Sequence, residues 1–258
     1  MALKIEGDLN TGATRYQIDH AGTFELPPLS GSDSTKLPIV MFHAAAQHLA
    51  DTADAISSID ADPTLSALGK AQKLAPLRAE LIEKVALTDA NVDVEERHWS
   101  AQEKELLQVP GIDSSNTVAA VEDREIRDWW RGQSPEARHA LMGKMKAEPG
   151  NERLMIAMLR SPIPQLDHEV SFMRDLWNQL ARLNDPGKAA SIEVGRAQVE
   201  WARRGIATVA AFAGRVVKMD ERALAETLLA SQVETVHGKH GLFGVDHQTM
   251  DNIKRAKR

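Results

Sequence analysis

Glu234, His237, His240, Asp246 and His247 form the cluster whose residue types and spacing most resemble a reactive site. Imidazoles three apart, with a third imidazole and two carboxylates close by, are donors that zinc or nickel accepts. The run between them, GKHGLFG at 238–244, is glycine-spaced and has no strand ahead of it, so it is neither a phosphate-binding fingerprint nor an ordered scaffold. The expectation is a solvated tail in which His237, His240 and His247 hold no metal. His43 and His48 lie five apart on a helical pattern, do not share a face, and read as partly buried polar residues. The chain contains no cysteine, which removes disulfides, thiolate zinc sites and cysteine nucleophiles. Nucleophile-elbow, zincin and phosphate-loop motifs are absent from the sequence. The reading is therefore non-enzymatic, with no cofactor and no catalytic residue.

A second cluster is basic. Lys254, Arg255, Lys257 and Arg258 close the chain and offer the one place for a nucleic-acid contact, whose affinity would fall steeply with salt. The net charge of −6 argues against nucleic acid as the main partner. That charge is unevenly spread. Residues 1–131 hold 12 Lys/Arg against 22 Asp/Glu, net −10, and residues 132–258 hold 19 against 15, net +4. Such asymmetry can steer docking between unlike surfaces.

The third feature is EIRDWWRGQSPEAR at 125–138, which sets two of the five tryptophans side by side. With 117–131 helical and about 100° per residue, Trp129 falls in the middle of an apolar stripe with Val118 and Val121. Trp130 falls at the edge of that stripe. Burying an indole contributes about 2–3 kcal/mol, so Trp129 is expected in the core and Trp130 is the candidate contact residue. Gly132 is the expected left-handed stop. Ser134 and Pro135 then read as the cap and first position of the next helix.

These residues need elements to hold them, and the patterns are overwhelmingly helical. The expected fold is all-α: an elongated multi-helix bundle with one or two long helices, an extended N-terminal arm and a flexible C-terminal tail. Residues 1–37 carry glycines, Pro27-Pro28 and scattered apolar side chains without helical period, and read as the arm. TRYQID and TFEL within it are possible short strands. Residues 38–110 form an acidic long-helix region, in which Asp62-Pro63 restarts a helix and Pro76 kinks or divides it. Residues 111–236 form a compact helical bundle, and 237–258 the His-rich, then basic, tail. The loop VPGIDSSN at 109–116 marks the boundary.

Asp185-Pro186 caps a helix that can run unbroken to Val217. Along it Ile192, Gly195, Val199, Ala202, Ile206, Val209, Ala213 and Val216 alternate by three and four, a heptad seam as in a coiled coil. The seam's partner is either another part of the same bundle or another subunit. Trp130, the arm residues Tyr16, Phe24 and Leu26, and the seam residues Ile192, Val199, Ile206, Val209 and Val216 are the candidate interface.

EDREIRDWWRGQSPEARHALMGKM (122–145), followed by NERLMIAMLRSPIP (151–164), reads as a charged helix, a Ser-Pro-Glu cap and a leucine/methionine helix closing at Arg-Ser-Pro. This pattern resembles one found in uncharacterised helical proteins of tailed bacteriophages and prophages. The resemblance implies a virion or assembly component and brings no catalytic residue with it. The expected function is accordingly a structural or assembly role through protein–protein contacts, with itself or with other assembly components. The alternative is an acidic regulatory or inhibitory module acting on a host factor. The first residues lack an apolar signal core, and IATVAAFAG at 206–214 is too short to span a bilayer. No membrane partner is expected, and the location is the bacterial host cytoplasm or the virion.

Overall fold

The computed structural model describes residues 3–29, 36–112, 117–147, 151–161, 167–230, 242–245 and 247–256. Among them the chain is all-α with a small sheet at its start. The strands are β1 (Leu3–Glu6), β2 (Thr14–Ile18) and β3 (Gly22–Leu26). The helices are α1 (Leu37–Ala61), α2 (Ala67–Leu106), α3 (Thr117–Gly132), α4 (Pro135–Ala147), α5 (Glu152–Leu159), α6 (Asp167–Asn184), α7 (Pro186–Val217), α8 (Glu221–Ala230) and α9 (His247–Ala256). They fall into two compact units, a larger one of residues 1–99 and 193–258 and a smaller one of residues 100–192. The boundaries cut through α2 and α7 rather than falling at the 109–116 loop. A division by chain order, at 37, 110 and 236, misses this because the larger unit is made from both ends of the sequence.

In the larger unit the extended arm is a three-stranded antiparallel meander, ordered β1-β2-β3. On β2 the alternation places Thr14, Tyr16 and Ile18 inside and Arg15 and Gln17 outside. A chain with five Phe and one Tyr spends most of them here. Tyr16 stacks on Phe24 at 5.0 Å and meets Phe42 of α1 edge-on at 5.1 Å. Phe42 in turn meets Trp201 of α7 at 5.1 Å, and Trp201 Nε1 donates to the Pro27 carbonyl at 2.8 Å. The arm therefore docks on its own subunit. Tyr16 and Leu26 are buried and Phe24 is packed against the core, so they are interior residues and not a surface for a neighbour.

The Tyr16 hydroxyl lies 2.9 Å from His43 Nε2. Burial lowers the His43 pKa and raises that of Tyr16. The imidazole is neutral in this pair: with its proton on Nδ1 it accepts the phenol hydrogen at Nε2, and with its proton on Nε2 it donates to the phenol oxygen. Stability from this pair is full above the ordinary imidazole value of about 6.5 and is lost as pH falls toward the depressed folded value, where the unfolded chain binds the extra proton. The melting temperature should fall between pH 7 and pH 5, and His43→Gln should shrink that fall. Tyr16→Phe should cost about 1 kcal/mol at pH 7 by chemical denaturation.

α1 buries Ile39, Phe42, Ala46, Leu49, Ala53 and Ile56 at spacings of three and four. Asp62 does not open the next helix. It accepts hydrogen bonds from the Thr64 backbone and hydroxyl in a turn, and α2 is capped by Ser66, whose hydroxyl accepts from Gly69 N at 3.1 Å. α2 then continues for 40 residues with Pro76 inside it. A proline inside the helix removes one backbone hydrogen bond and crowds the carbonyl four residues before it, and the buried row that follows (Leu81, Ile82, Val85, Ala86 and Val92) carries the helix past it.

α7 does run unbroken from its Asp185 cap, which accepts from Lys188 N at 2.9 Å. Val199, Ile206, Val209 and Val216 of its seam are buried in the larger unit's core, and Ile192, which belongs to the smaller unit, is also buried. The seam is filled by the chain's own elements, which removes these five residues from the candidate interface. Small residues set the approach. A Cβ on Gly195 would stand 2.1 Å from the Trp99 ring, and one on Gly205 would stand 2.5 Å from Phe42. Gly195→Ala gains about 1 kcal/mol of helix propensity but overpacks the Trp99 contact, which costs about 1–3 kcal/mol. The expected net is a loss, read by urea unfolding, that Trp99→Leu in the same chain relieves.

An ionic clamp ties α2 to α7. Arg203 reaches Asp93 at 2.7 Å, Glu96 at 2.5 Å and Asp89 at 3.7 Å, and both aspartates are buried. Partial burial works against the Arg203 charge, but the hydrogen bond and charge of Asp93, with Glu96 and Asp89, outweigh it and raise the guanidinium pKa.

The smaller unit has its own core of Trp130, Met145, Leu154, Met155, Met158, Met173 and Leu176. Four of these seven side chains are methionines, which fill irregular gaps between short helices. Trp177 Nε1 donates to the Leu107 carbonyl at 3.0 Å and Arg182 pairs with Glu103 at 2.6 Å, so α6 is pinned to the end of α2.

Candidate interaction face

α3 is built the opposite way round from its apolar pattern. Trp130 is 0% exposed and Trp129 is 50% exposed. The helix does end at the expected corner, with Ser134 Oγ accepting from Ala137 N at 3.2 Å and Pro135 in the first position of α4. Gly132, however, stays in the helix and is not among the residues with positive φ. The inward side of α3 carries Asp123, Ile126, Arg127 and Trp130.

Polar groups choose that side. Trp130 Nε1 donates to Glu169 Oε2 at 2.9 Å, and the other oxygen of Glu169 accepts from Arg138 at 2.9 Å. Asp123 is buried between Arg153 at 2.7 Å and Arg160 at 3.2 Å. The Arg153 contact is ionic without hydrogen-bond alignment, since Asp123 Oδ1 has no hydrogen-bond partner. Arg127 donates to the Ala157 carbonyl at 3.1 Å, and Arg160 to the carbonyls of Pro110 and Gly111. An indole N–H and two carboxylates that find partners inside outweigh two valines that do not.

The consequence is an apolar row left facing solvent. Val118 is 65% exposed and Val121 55%, and both share a face with Trp129. Trp130 therefore cannot anchor a partner, having no free surface, and Trp129 takes that place. Glu125 stands within the row. Glu125 within the apolar stripe is the one sequence feature that speaks against burying this face, and it is a weak one, since Asp123 on the opposite face is buried among arginines.

The other predicted positions contribute no site. Glu234, His237, His240 and Asp246, and the side chain of His247, lie outside the described residues. Among the described residues no group of three or more His, Asp or Glu is placed to hold a metal. Lys254 and Arg255 are exposed on the last turn of α9, and Lys257 and Arg258 lie outside the described residues. No helix among the described residues is long and apolar enough to cross a membrane.

By its fold the chain is an all-α protein of two helical units with a small sheet in the larger one. No family model, curated protein or solved structure matches it.

Proposed function

We propose that this is a non-enzymatic helical protein that works by protein–protein contact, as a component of a bacteriophage particle or of its assembly. The observation that carries the proposal is the solvent-facing row of Val118, Val121 and Trp129 on α3. Exposed valines and a half-exposed tryptophan aligned on one helix face are costly in water and return that cost on docking. The buried charges support the same reading, because Asp123, Glu169 and Arg203 are committed to holding helices together. The phage setting rests on the resemblance of residues 122–164, and the location it implies is the host cytoplasm or the virion. Any nucleic-acid contact would run through the basic end at Lys254 and Arg255.

Trp129→Ala tests the proposal. The variant should fold with an unchanged circular dichroism spectrum and lose association, measured by light scattering and by incorporation into its native particle. A chain that is monomeric at every concentration, with Trp129→Ala incorporated as well as the parent, counts against it. One observation favours the second reading, an acidic module on a host factor: the carboxylate of Glu125 within the row. Capture of a single host protein, with no particle incorporation, would select that reading.

A further inference from the structure

We propose that the α3 face takes an amphipathic helix whose apolar side chains flank a Lys or Arg, and that this helix belongs to a different protein rather than to a second copy of the chain. The inference rests on the reading of α3 as a contact face. Val121, Glu125, Val118 and Trp129 fall within about 80° of arc on the helix, and they run over about 16 Å of its length. Three turns of a partner helix would cover them. Both ends of the row are apolar and its centre is a carboxylate.

The neighbouring acids are already occupied. Glu122 pairs with Arg153 at 2.9 Å, and Asp128 pairs with Arg131 at 3.0 Å and with Arg124 at 3.6 Å. Glu125 is exposed and forms no ion pair or hydrogen bond among the described residues. A wholly apolar partner would bury that carboxylate uncompensated, which costs more than the surrounding contact returns. A partner cation placed between apolar side chains converts the same group into a charge-assisted hydrogen bond, and its methylene stem covers the valines.

A second copy does not meet this requirement. Antiparallel pairing that seats Val118 against Trp129 of the second copy puts Glu125 opposite Glu122, and Glu122 opposite Glu125. Parallel pairing puts Glu125 on Glu125. Like charges meet in the parallel arrangement, and in the antiparallel one Glu125 meets an acid whose cation, Arg153, is already shared with Asp123. The basic helix of the chain itself, α9, is also unsuited, because its apolar residues Met250 and Ile253 are buried in the larger unit's core.

The test titrates the full chain into two labelled helical peptides of about 18 residues. Both carry leucines at alternating spacings of three and four, and they differ only in the central residue of that row, Lys or Glu. The Lys peptide should bind about tenfold or more tighter than the Glu peptide. Glu125→Lys should reverse the order, and Trp129→Ala should weaken both. Equal binding of the two peptides, or a ranking that Glu125→Lys leaves unchanged, overturns the inference and leaves α3 as a contact face. Binding of neither peptide also overturns it, and light scattering then separates the two ideas. An oligomer dissolved by Trp129→Ala assigns the face to a second copy. A monomer, with Trp129→Ala still incorporated normally into the particle, removes both the inference and the reading beneath it.

Discussion

Asp123→Ala should lower the unfolding free energy by about 3–5 kcal/mol, a large share of the 5–15 kcal/mol, roughly, that a domain has to lose. Asp123 is 0% exposed and sits between the guanidinium groups of Arg153 and Arg160. Its removal strands Arg160, which is mostly buried, and leaves Arg153 with only its exposed acidic partner Glu122. The same arginines hold backbone carbonyls at Ala119, Pro110 and Gly111, so the charge loss reaches both ends of the α3–α5 contact. Asp123→Asn keeps the shape and removes the charge, and should cost less than the alanine. Asp123→Leu combined with Arg160→Met should cost less than the sum of the two single changes, because each single change leaves a buried partner bare and the pair does not. Urea unfolding followed by circular dichroism and tryptophan fluorescence reads all five variants, the two single changes of the pair included. A loss below about 1 kcal/mol for Asp123→Ala, the value of a surface pair, would mean that the buried triad does not hold α3.

Positions along the chain were easier to read than partners in space. Caps at Ser134 and Asp185 depend on neighbours three residues away, and each accepts the backbone hydrogen bond expected of it. The unbroken run of α7 follows from a local period in the same way. The orientation of α3 does not, because it is decided by Glu169, 39 residues beyond Trp130, and by Arg160, 37 beyond Asp123. Apolarity ranks Val118, Val121 and Trp129 above the opposite face. A ranking by apolarity gives no weight to an indole N–H that finds a buried carboxylate. The seam on α7 was ambiguous for the same reason. Gly195 and Gly205 announce a close approach, but what approaches is Trp99 in one case and Phe42 in the other, each about a hundred residues or more earlier in the sequence. The arm reads as extended because its glycines, Pro27-Pro28 and scattered apolar side chains carry no helical period, and nothing local to its one tyrosine places it between Phe24, Phe42 and His43.

The two tryptophans should respond to mutation in opposite ways. Trp130→Ala removes the largest fully buried side chain and should cost about 3–5 kcal/mol. Trp130→Phe keeps most of the volume and deletes the indole donor, leaving one oxygen of buried Glu169 without its hydrogen bond, for about 1.5–3 kcal/mol. Trp129→Ala should stay within about 1 kcal/mol of the parent, since half of its surface is already wet. Glu169→Gln should be strongly coupled to Trp130→Phe, by about 0.5–3 kcal/mol in a double-mutant cycle. Glu169 also carries Arg138, whose Nε is buried with no hydrogen-bond partner, so that guanidinium depends on the one carboxylate for its charge. Equal costs for Trp129→Ala and Trp130→Ala would mean that α3 is turned to bury its apolar row after all, and the contact face would disappear with that result. The predicted asymmetry, a large loss at one position and a small one at its neighbour, ties the stability of the smaller unit to the same helix rotation that leaves Trp129 free for a partner.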